Sequence, residues 1–121
     1  MTYPKKEKKR EYNERPWGNY YRVFQESGVW VKRVEVNVGG RISLQRHRKR
    51  SEKWIVVAGI GLAVVEEAEI KVGPGAVVDV PVGCTHRIGN TGQEPLVFVE
   101  VACGNYLAED DIERIQDDYS R

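Results

Sequence analysis

The chain has 121 residues, of which 40% are hydrophobic and 31% are charged. This composition is typical of one soluble globular domain and excludes disordered and membrane-spanning classes, since no apolar run reaches the ~18 residues of a spanning helix. A formal net charge of +1 provides no overall field for nucleic acid or membrane. The start lacks the apolar segment of a signal peptide and Cys84 and Cys103 are too few for a disulfide scaffold, so we predict a cytoplasmic protein.

Charged residues are distributed unevenly along the chain. Residues 1–14 are polar and lysine-rich, which predicts a flexible basic arm ahead of a single domain spanning residues 15–121. Residues 41–53 are strongly basic, and residues 109–118 are strongly acidic. These two runs are either solvated faces, which could pair with each other across the fold or across a dimer, or they include basic side chains that bind an anionic substrate.

Between Tyr20 and Val101 the chain is a succession of short β-segments separated by glycine and proline. Residues 29–36 largely alternate apolar and polar side chains, as a half-buried strand does, and residues 54–58 form a short apolar strand. Residues 110–119 form the one predicted helix, with acids at its start, where the helix dipole favours them. The expected fold is all-β, a small jelly-roll barrel with a short C-terminal helix.

Both histidines of the chain fall in glycine-punctuated frames that predict a metal site. The first frame is Gly39-x5-Gln45-x-His47-x4-Glu52-x6-Gly59, and the second is Gly75-x5-Pro81-x-Gly83-x2-His86-x3-Asn90. Gln45 and His47 share one face of a strand, and Glu52 can return to that face from the next strand. Two imidazoles, a carboxylate and an amide oxygen suit one divalent ion among Zn, Co, Ni, Mn and Fe. Open coordination positions would make the site catalytic rather than structural.

These frames resemble the two motifs of the cupin superfamily, with Gln45 where the first motif usually starts His-x-His. Further blocks resemble the type II mannose-6-phosphate isomerase family, in order and spacing over nearly the whole chain. The blocks are residues 15–18, 43–47, 50–59, 86–90, 109–114 and 118–121. The resemblance implies the cupin double-stranded β-helix, and it places the metal ligands on Gln45, His47, Glu52 and His86.

The resemblance also implies an activity. A member of this family is a metal-dependent sugar-phosphate isomerase that interconverts mannose 6-phosphate and fructose 6-phosphate through an enediol(ate). The domain often follows a mannose-1-phosphate guanylyltransferase domain, but this sequence has no Gly-rich phosphate loop with a nucleotide-binding α/β unit, so guanylyl transfer is not expected. The chain departs from the family at Lys53, where a histidine is usual, at Ala102 and at Ser120.

Isomerisation needs a general base and a phosphate anchor beside the metal. The candidate bases are Glu100, whose pKa burial on an apolar strand would raise, and Lys53, whose pKa desolvation would lower. Arg50 and Arg87 are candidate phosphate donors, because they lie close to the metal frames and guanidinium matches phosphate. By resemblance, the substrate-binding residues also include Arg15, Lys32 and Arg121.

Other functions compete with isomerisation. A sugar- or sugar-phosphate-binding cupin without catalysis is favoured by Lys53 and by the missing transferase partner. A cupin dioxygenase with iron at the same ligands is a weaker alternative, because glutamine is a less usual iron ligand than histidine. Nucleic-acid binding through residues 41–53 is weak, because the aromatic platform of a single-strand binder is absent. We predict a homodimer without nucleic-acid or membrane partners, since small β-sandwiches must cover their edge strands.

Overall fold

The computed structural model describes residues 12–119, and within this part of the chain the secondary structure consists of strands and turns. The strands are β1 (Asn13–Arg15), β2 (Gly18–Glu26), β3 (Val29–Val36), β4 (Leu44–Arg46), β5 (Arg50–Ala58), β6 (Gly61–Val65), β7 (Ala68–Val72), β8 (Val77–Val80), β9 (His86–Asn90), β10 (Leu96–Gly104) and β11 (Glu113–Gln116). The predicted arm lies mostly outside the described residues, although Asn13 and Glu14 lie in β1. No described helix could cross a membrane.

The strands form two sheets, and every pairing between strands is antiparallel. One sheet has six strands in the order β1-β2-β3-β10-β5-β8, and the other has five in the order β11-β4-β9-β6-β7. Apolar side chains from both sheets meet between them, with Trp54, Phe98, Ile88, Leu96 and Val36 among the most deeply buried. The prediction of an all-β jelly-roll barrel is therefore confirmed.

Side-chain alternation in the central strands of the six-stranded sheet places polar groups inside the barrel. In β3 every second residue is buried, and Lys32 is one of them. In β5 the buried set includes Glu52, and in β10 it includes Glu100. Charged side chains are almost never fully buried unless they are paired. Part of the barrel interior is therefore occupied by charged side chains rather than by apolar packing.

The predicted C-terminal helix is wrong. Residues 110–119 contain β11, which pairs with β4 and places Arg114 opposite Gln45. Glu113 lies in this strand and not at the start of a helix, and its carboxylate accepts hydrogen bonds from Arg46 at 2.8 and 3.0 Å. An isolated helix of about ten residues is marginal in water. Pairing with the free edge of β4 and with its basic side chains therefore decides the conformation.

Candidate metal centre and its pocket

The structure brings both histidine frames together inside the barrel. His47 follows β4, Glu52 lies on β5, and His86 begins β9. The β4–β9 pairing places Gln45 opposite His86, so the second frame lies beside the first. His47, Glu52 and His86 are buried, and one ligand atom from each lies within 4.8 Å of the other two. This distance suits three ligands around one ion.

Both imidazole rings are held in the tautomer that leaves the lone pair of Nε2 available to a metal. Nδ1 of His47 lies 2.6 Å from the carbonyl oxygen of Asp111, and Nδ1 of His86 lies 3.0 Å from that of Cys84. Because a carbonyl oxygen only accepts, each Nδ1 carries the proton and each Nε2 keeps its lone pair. Nε2 of His86 is buried without a hydrogen-bond partner. An unsatisfied buried group costs roughly 1–3 kcal/mol, and a cation would satisfy it.

The protonation states also suit a cation. Burial lowers the pKa of His47 to about 4 and also lowers the pKa of His86, so both rings are neutral at neutral pH. Burial opposes ionisation of Glu52, yet its pKa is lowered. Arg50 Nε and Trp54 Nε1 each donate a hydrogen bond to one of its oxygens at 2.9 Å, which stabilises the ionised form. The two histidines lower the pKa of Glu52 further only when their rings are protonated. Metal binding would therefore displace few protons.

Gln45 lies beside this cluster with its amide nitrogen toward His47. Its Nε2 is 3.4 Å from Nε2 of His47, and its Oε1 accepts a hydrogen bond from the Ser43 hydroxyl at 2.7 Å. Rotating the amide by 180° would present the oxygen instead, and the Ser43 hydroxyl could then accept from the amide nitrogen. The ligand role of Gln45 stays a prediction.

A cavity of about 110 Å³ opens beside the cluster. Its lining comprises Arg15, Trp17, Tyr20, Lys32, Val34, Ile42, Gln45, His47, Arg50, Glu52, Trp54, Phe98, Glu100, Glu109, Ile112 and Arg114. Most of the residues predicted to bind metal or substrate are in this set. His86 is fully buried behind the lining, where its ring packs against the ring of His47 with centroids 4.9 Å apart.

Two buried cations lie at the cavity wall and are already engaged by neighbouring groups. Arg50 Nε donates a hydrogen bond to Glu52 at 2.9 Å, and Arg50 Nη2 lies 3.2 Å from Nε2 of His47. An ion on His47 would take over that lone pair from Arg50. Lys32 lies over the ring of Trp30 at 4.0 Å, and its Nζ is 2.6 Å from Glu109. These contacts fix both cations in the cavity wall, as buried charges require.

Glu100 is a buried carboxyl group in the same cavity. Its Oε2 accepts a hydrogen bond from the Trp30 indole at 2.8 Å. Burial raises its pKa to about 8, and the charge of Glu52 adds to this, while Lys32 and Arg50 act in the opposite direction. A carboxyl with this pKa can hold a proton at neutral pH and release it to a base, which is the property of an acid–base group.

Besides His86, two predicted site residues lie outside the cavity lining. Lys53 is the neighbour of Glu52, so strand alternation turns it to the outer face, where its side chain is 69% exposed and lies 3.4 Å from Asp79. Arg87 is the neighbour of His86 and is also absent from the cavity lining, although its side chain is buried. Its Nε donates to the carbonyl of Ile42 at 2.9 Å. Neither residue fits its predicted role, because adjacency in a strand means opposite faces. Arg121 lies outside the described residues.

The C-terminal segment supplies lining residues that sequence reasoning missed, namely Glu109, Ile112 and Arg114. Arg114 faces the cavity from β11, and within residues 12–119 its guanidinium has no hydrogen bond or ion pair. Ile112 directly precedes β11 and Arg114 is the second residue of that strand, and their spacing of two was a usable signal because side chains two positions apart in an extended chain point the same way. The incorrect helix prediction concealed it.

An antiparallel double-sheet barrel with two histidines and a glutamate converging inside defines the cupin class. The fold superposes with a TM-score of 0.73 on the Cnp3 cupin domain of Schizosaccharomyces pombe, at 16% identity over 78% of this chain and 68% of that one. It superposes with a TM-score of 0.78 on the capsular polysaccharide assembling protein CapF of Staphylococcus aureus, at 22% identity over 96% of this chain and 35% of that one. These likenesses show the fold.

Within the cupins, the chain belongs to the family described as mannose-6-phosphate isomerase C-terminal, whose family model matches residues 4–117. It is 40% identical to the alginate biosynthesis protein AlgA of Pseudomonas aeruginosa over 88% of this chain and 22% of that protein. It is 41% identical to the xanthan biosynthesis protein XanB of Xanthomonas campestris, over 88% of this chain and 23% of that protein. The mannose-1-phosphate guanylyltransferase ManC of Salmonella typhimurium is 38% identical over 88% of this chain and 22% of that protein.

These relatives confirm the family resemblance and correct the function drawn from it. The chain spans less than a quarter of each relative. Their names refer to polysaccharide biosynthesis and to guanylyl transfer, and none of these names assigns an isomerase activity to the matched region. The prediction that this domain is a mannose-6-phosphate isomerase is therefore wrong as an assignment from the resemblance, and the outward position of Lys53 removes one of the two bases predicted for that activity.

Proposed function

We propose that this domain binds one divalent metal ion through His47, Glu52 and His86, and binds a sugar phosphate in the cavity beside the ion. The observation that carries the proposal is the unpaired, fully buried Nε2 of His86. The lone pair of this nitrogen has no partner. The ligand atoms of His86, the neutral His47 and the ionised Glu52 lie within 4.8 Å of one another. A structural histidine would have its second nitrogen satisfied or solvated.

The donor set indicates the kind of ion. Two imidazole nitrogens and one carboxylate form a mixed nitrogen and oxygen site, which suits Mn, Fe, Co, Ni or Zn better than an all-oxygen calcium site. A structural neighbour, the oxalate decarboxylase of Bacillus subtilis, is described with Mn(II) centres and superposes with a TM-score of 0.75 at 23% identity, over 87% of this chain and 30% of that one. A divalent ion in such a site polarises a ligand oxygen and stabilises negative charge on it.

The charge of the cavity supports an anionic ligand. Arg15, Lys32, Arg50 and Arg114 line it, against the carboxylates of Glu52 and Glu109, so the lining has two more positive than negative groups while Glu100 holds its proton. A divalent ion would increase this excess. Arg114 contributes a guanidinium that the described residues leave available, and guanidinium groups match phosphate oxygens in a forked geometry.

The names of the relatives support a sugar phosphate as the ligand. The curated relatives are named for alginate and xanthan biosynthesis and for guanylyl transfer to mannose 1-phosphate. A phosphorylated hexose combines the anionic group that the cavity favours with hydroxyl oxygens for the metal. Glu100 is the group we propose to give or take a proton at the bound ligand, because its pKa is about 8. Homodimer formation and a cytoplasmic location stay predictions, and light scattering would show a dimer as twice 13.8 kDa.

The proposal is tested by two titrations of the full chain, purified without a nickel column. The first titrates Mn, Co, Ni and Zn into metal-free protein and into His86→Ala, and we expect one site per chain that the variant loses. The second titrates mannose 6-phosphate and mannose into the metal-loaded protein, and we expect the phosphate to bind more tightly by at least about tenfold, the worth of one charge-assisted hydrogen bond. Equal binding of metal by the variant, or equal affinity for the two sugars, would contradict the proposal.

A matched pair of variants distinguishes binding in the cavity from nonspecific attraction to surface charge. Lys53→Ala removes a cation on the outer face of β5, so both affinities should stay as in the wild type. Arg15→Ala removes a cation that lines the cavity, so sugar-phosphate affinity should fall while metal affinity is retained. The same loss in both variants would indicate nonspecific attraction rather than a site.

A further inference from the structure

The acidic segment near the C-terminal end, residues 109–118, lies against the basic run at residues 41–53. Glu113 bridges Arg46 at 2.8 Å and Arg48 at 3.0 Å. Asp118 accepts a hydrogen bond from Arg41 at 2.9 Å. The two charge runs of the sequence therefore pair with each other across the fold. These ion pairs are exposed, however, and exposed pairs contribute only about 0–1 kcal/mol each.

One residue of this segment makes a different kind of contact. Both carboxylate oxygens of Asp111 accept backbone hydrogen bonds, Oδ1 from the N–H of Arg48 and Oδ2 from the N–H of Lys49, each at 3.0 Å. The carbonyl oxygen of the same residue accepts the Nδ1 proton of His47 at 2.6 Å. Asp111 is thus bound to the two residues that directly follow His47, and it holds the His47 ring itself.

We propose that Asp111 is a positioning residue for the metal centre, which sets the tautomer and the direction of His47 without touching the ion. The inference rests on the proposed metal site. The carbonyl that orients the ring belongs to the backbone, so its position depends on whatever anchors that stretch of backbone. The side chain of Asp111 anchors it to the turn after His47 through two hydrogen bonds, and the N–H of Asp111 also donates to the carbonyl of Ala108 at 3.2 Å. Partners that orient ligand histidines typically change metal affinity about 10–100-fold when they are lost.

The two histidines differ in this respect. His86 donates its Nδ1 proton to the carbonyl of Cys84, two residues earlier in the chain, so its orientation is fixed within its own turn. His47 depends on a residue 64 positions away. A change in the acidic segment should therefore affect His47 and leave His86 in place. This asymmetry makes the C-terminal segment part of the metal centre, although the segment contributes none of its ligands.

The test compares two neighbouring aspartates in the full chain. Asp111→Ala removes both hydrogen bonds from the backbone N–H groups of Arg48 and Lys49, and we expect the dissociation constant for the divalent ion to rise about 10–100-fold. Asp110→Ala is the control, because among residues 12–119 the side chain of Asp110 accepts a hydrogen bond only from the exposed Tyr106 hydroxyl, and we expect the metal affinity of this variant to stay within about twofold of the wild type. Asp111→Asn keeps one carbonyl acceptor and should lie between them. Equal affinities in all four proteins would overturn the inference.

A second measurement is independent of metal binding and of global stability. Nitrogen-15 spectra of the metal-free imidazole rings report which ring nitrogen carries the proton. We expect both rings of the wild type to be in the Nδ1–H form, and His47 alone to become a mixture of tautomers in Asp111→Ala. An unchanged His47 tautomer would overturn the inference even if the variant binds metal weakly. If the wild type binds no ion while its His47 tautomer responds to Asp111→Ala, the proposed function fails and the positioning role stands.

Discussion

The carboxyl group of Glu100 on β10 accepts a hydrogen bond from the indole of Trp30 on β3 at 2.8 Å, inside the barrel. Each group satisfies the other in a place where water is largely excluded. Burial there raises the pKa of Glu100 to about 8. The carboxyl therefore holds its proton in the folded protein at a pH where an unfolded glutamate, with its pKa of 4.5, has released it.

The first prediction concerns stability against pH in metal-free protein. Because the folded pKa of Glu100 is raised, folding takes up a proton between pH 4.5 and about 8, and the stability that this proton supports is lost as the pH rises through that window. Glu100→Gln keeps the size and a hydrogen-bond acceptor for Trp30 but cannot ionise. The variant should gain stability over the wild type as the pH increases from 5 to 8. Urea unfolding at several pH values measures this, and parallel profiles would contradict it.

The second prediction concerns metal and thermal stability. An ion at 100 times its dissociation constant stabilises the folded state by about 2.7 kcal/mol, which is roughly 10 °C in Tm for a domain of this size. His86→Ala should abolish this shift, because it removes a proposed ligand whose buried Nε2 has no hydrogen-bond partner in the protein. His47→Ala provides a second variant on the cavity wall. A full metal-induced shift in both variants would place the ion elsewhere.

The third prediction concerns the guanidinium that the fold presents to the cavity from β11. Arg114→Ala should weaken sugar-phosphate binding by about tenfold or more, since a hydrogen bond to a charged group contributes roughly 1.5–3 kcal/mol. Metal affinity should stay the same, because Arg114 is not in the cluster of potential ligands. Calorimetric titration of the metal-loaded protein measures both affinities. Unchanged sugar-phosphate affinity would remove Arg114 from the binding site.

The fourth prediction concerns the close approach of β10 to the turn that carries the site. A Cβ added at Gly104 would lie 2.2 Å from the carbonyl oxygen of Lys49, and that atom is backbone that cannot turn aside. Gly104→Ala should therefore destabilise the fold by about 1–3 kcal/mol. At Gly73 the nearest atom to an added Cβ is a side-chain carbon of Ile60 at 3.7 Å, an ordinary contact. Gly73→Ala should cost less, and equal denaturation midpoints would contradict the argument.

Strand alternation made much of the site predictable from the sequence. Glu52 and Glu100 lie at the cavity because alternate residues of β5 and β10 point inside, and Gln45 and His47 reach it from positions two residues apart at the end of β4. The same rule explains the failures at Lys53 and Arg87. These residues were chosen for closeness to a ligand in sequence, and a shift of one residue along a strand moves a side chain to the opposite face.

The C-terminal segment was the part that local pattern could not decide. Its acids suit a helix start as well as a strand with charged edges, and the choice depended on β4, which offers both a free edge and basic side chains. The contacts that follow from this pairing were hidden for the same reason. Asp111 at His47 and Arg114 at the cavity are visible only after β11 is in place.

The sequence by itself determined the all-β class, the cupin frames and the identity of three potential metal ligands. Those features depend on the spacing of residues that are close together in the chain, because the side-chain period of a strand is fixed by covalent geometry. Only the tertiary structure decided the protonation states of the ligands, the unpaired nitrogen of His86 and the part that Asp111 plays at His47. These depend on burial and on contacts between segments far apart in the chain, and neither is a property of any local stretch of sequence.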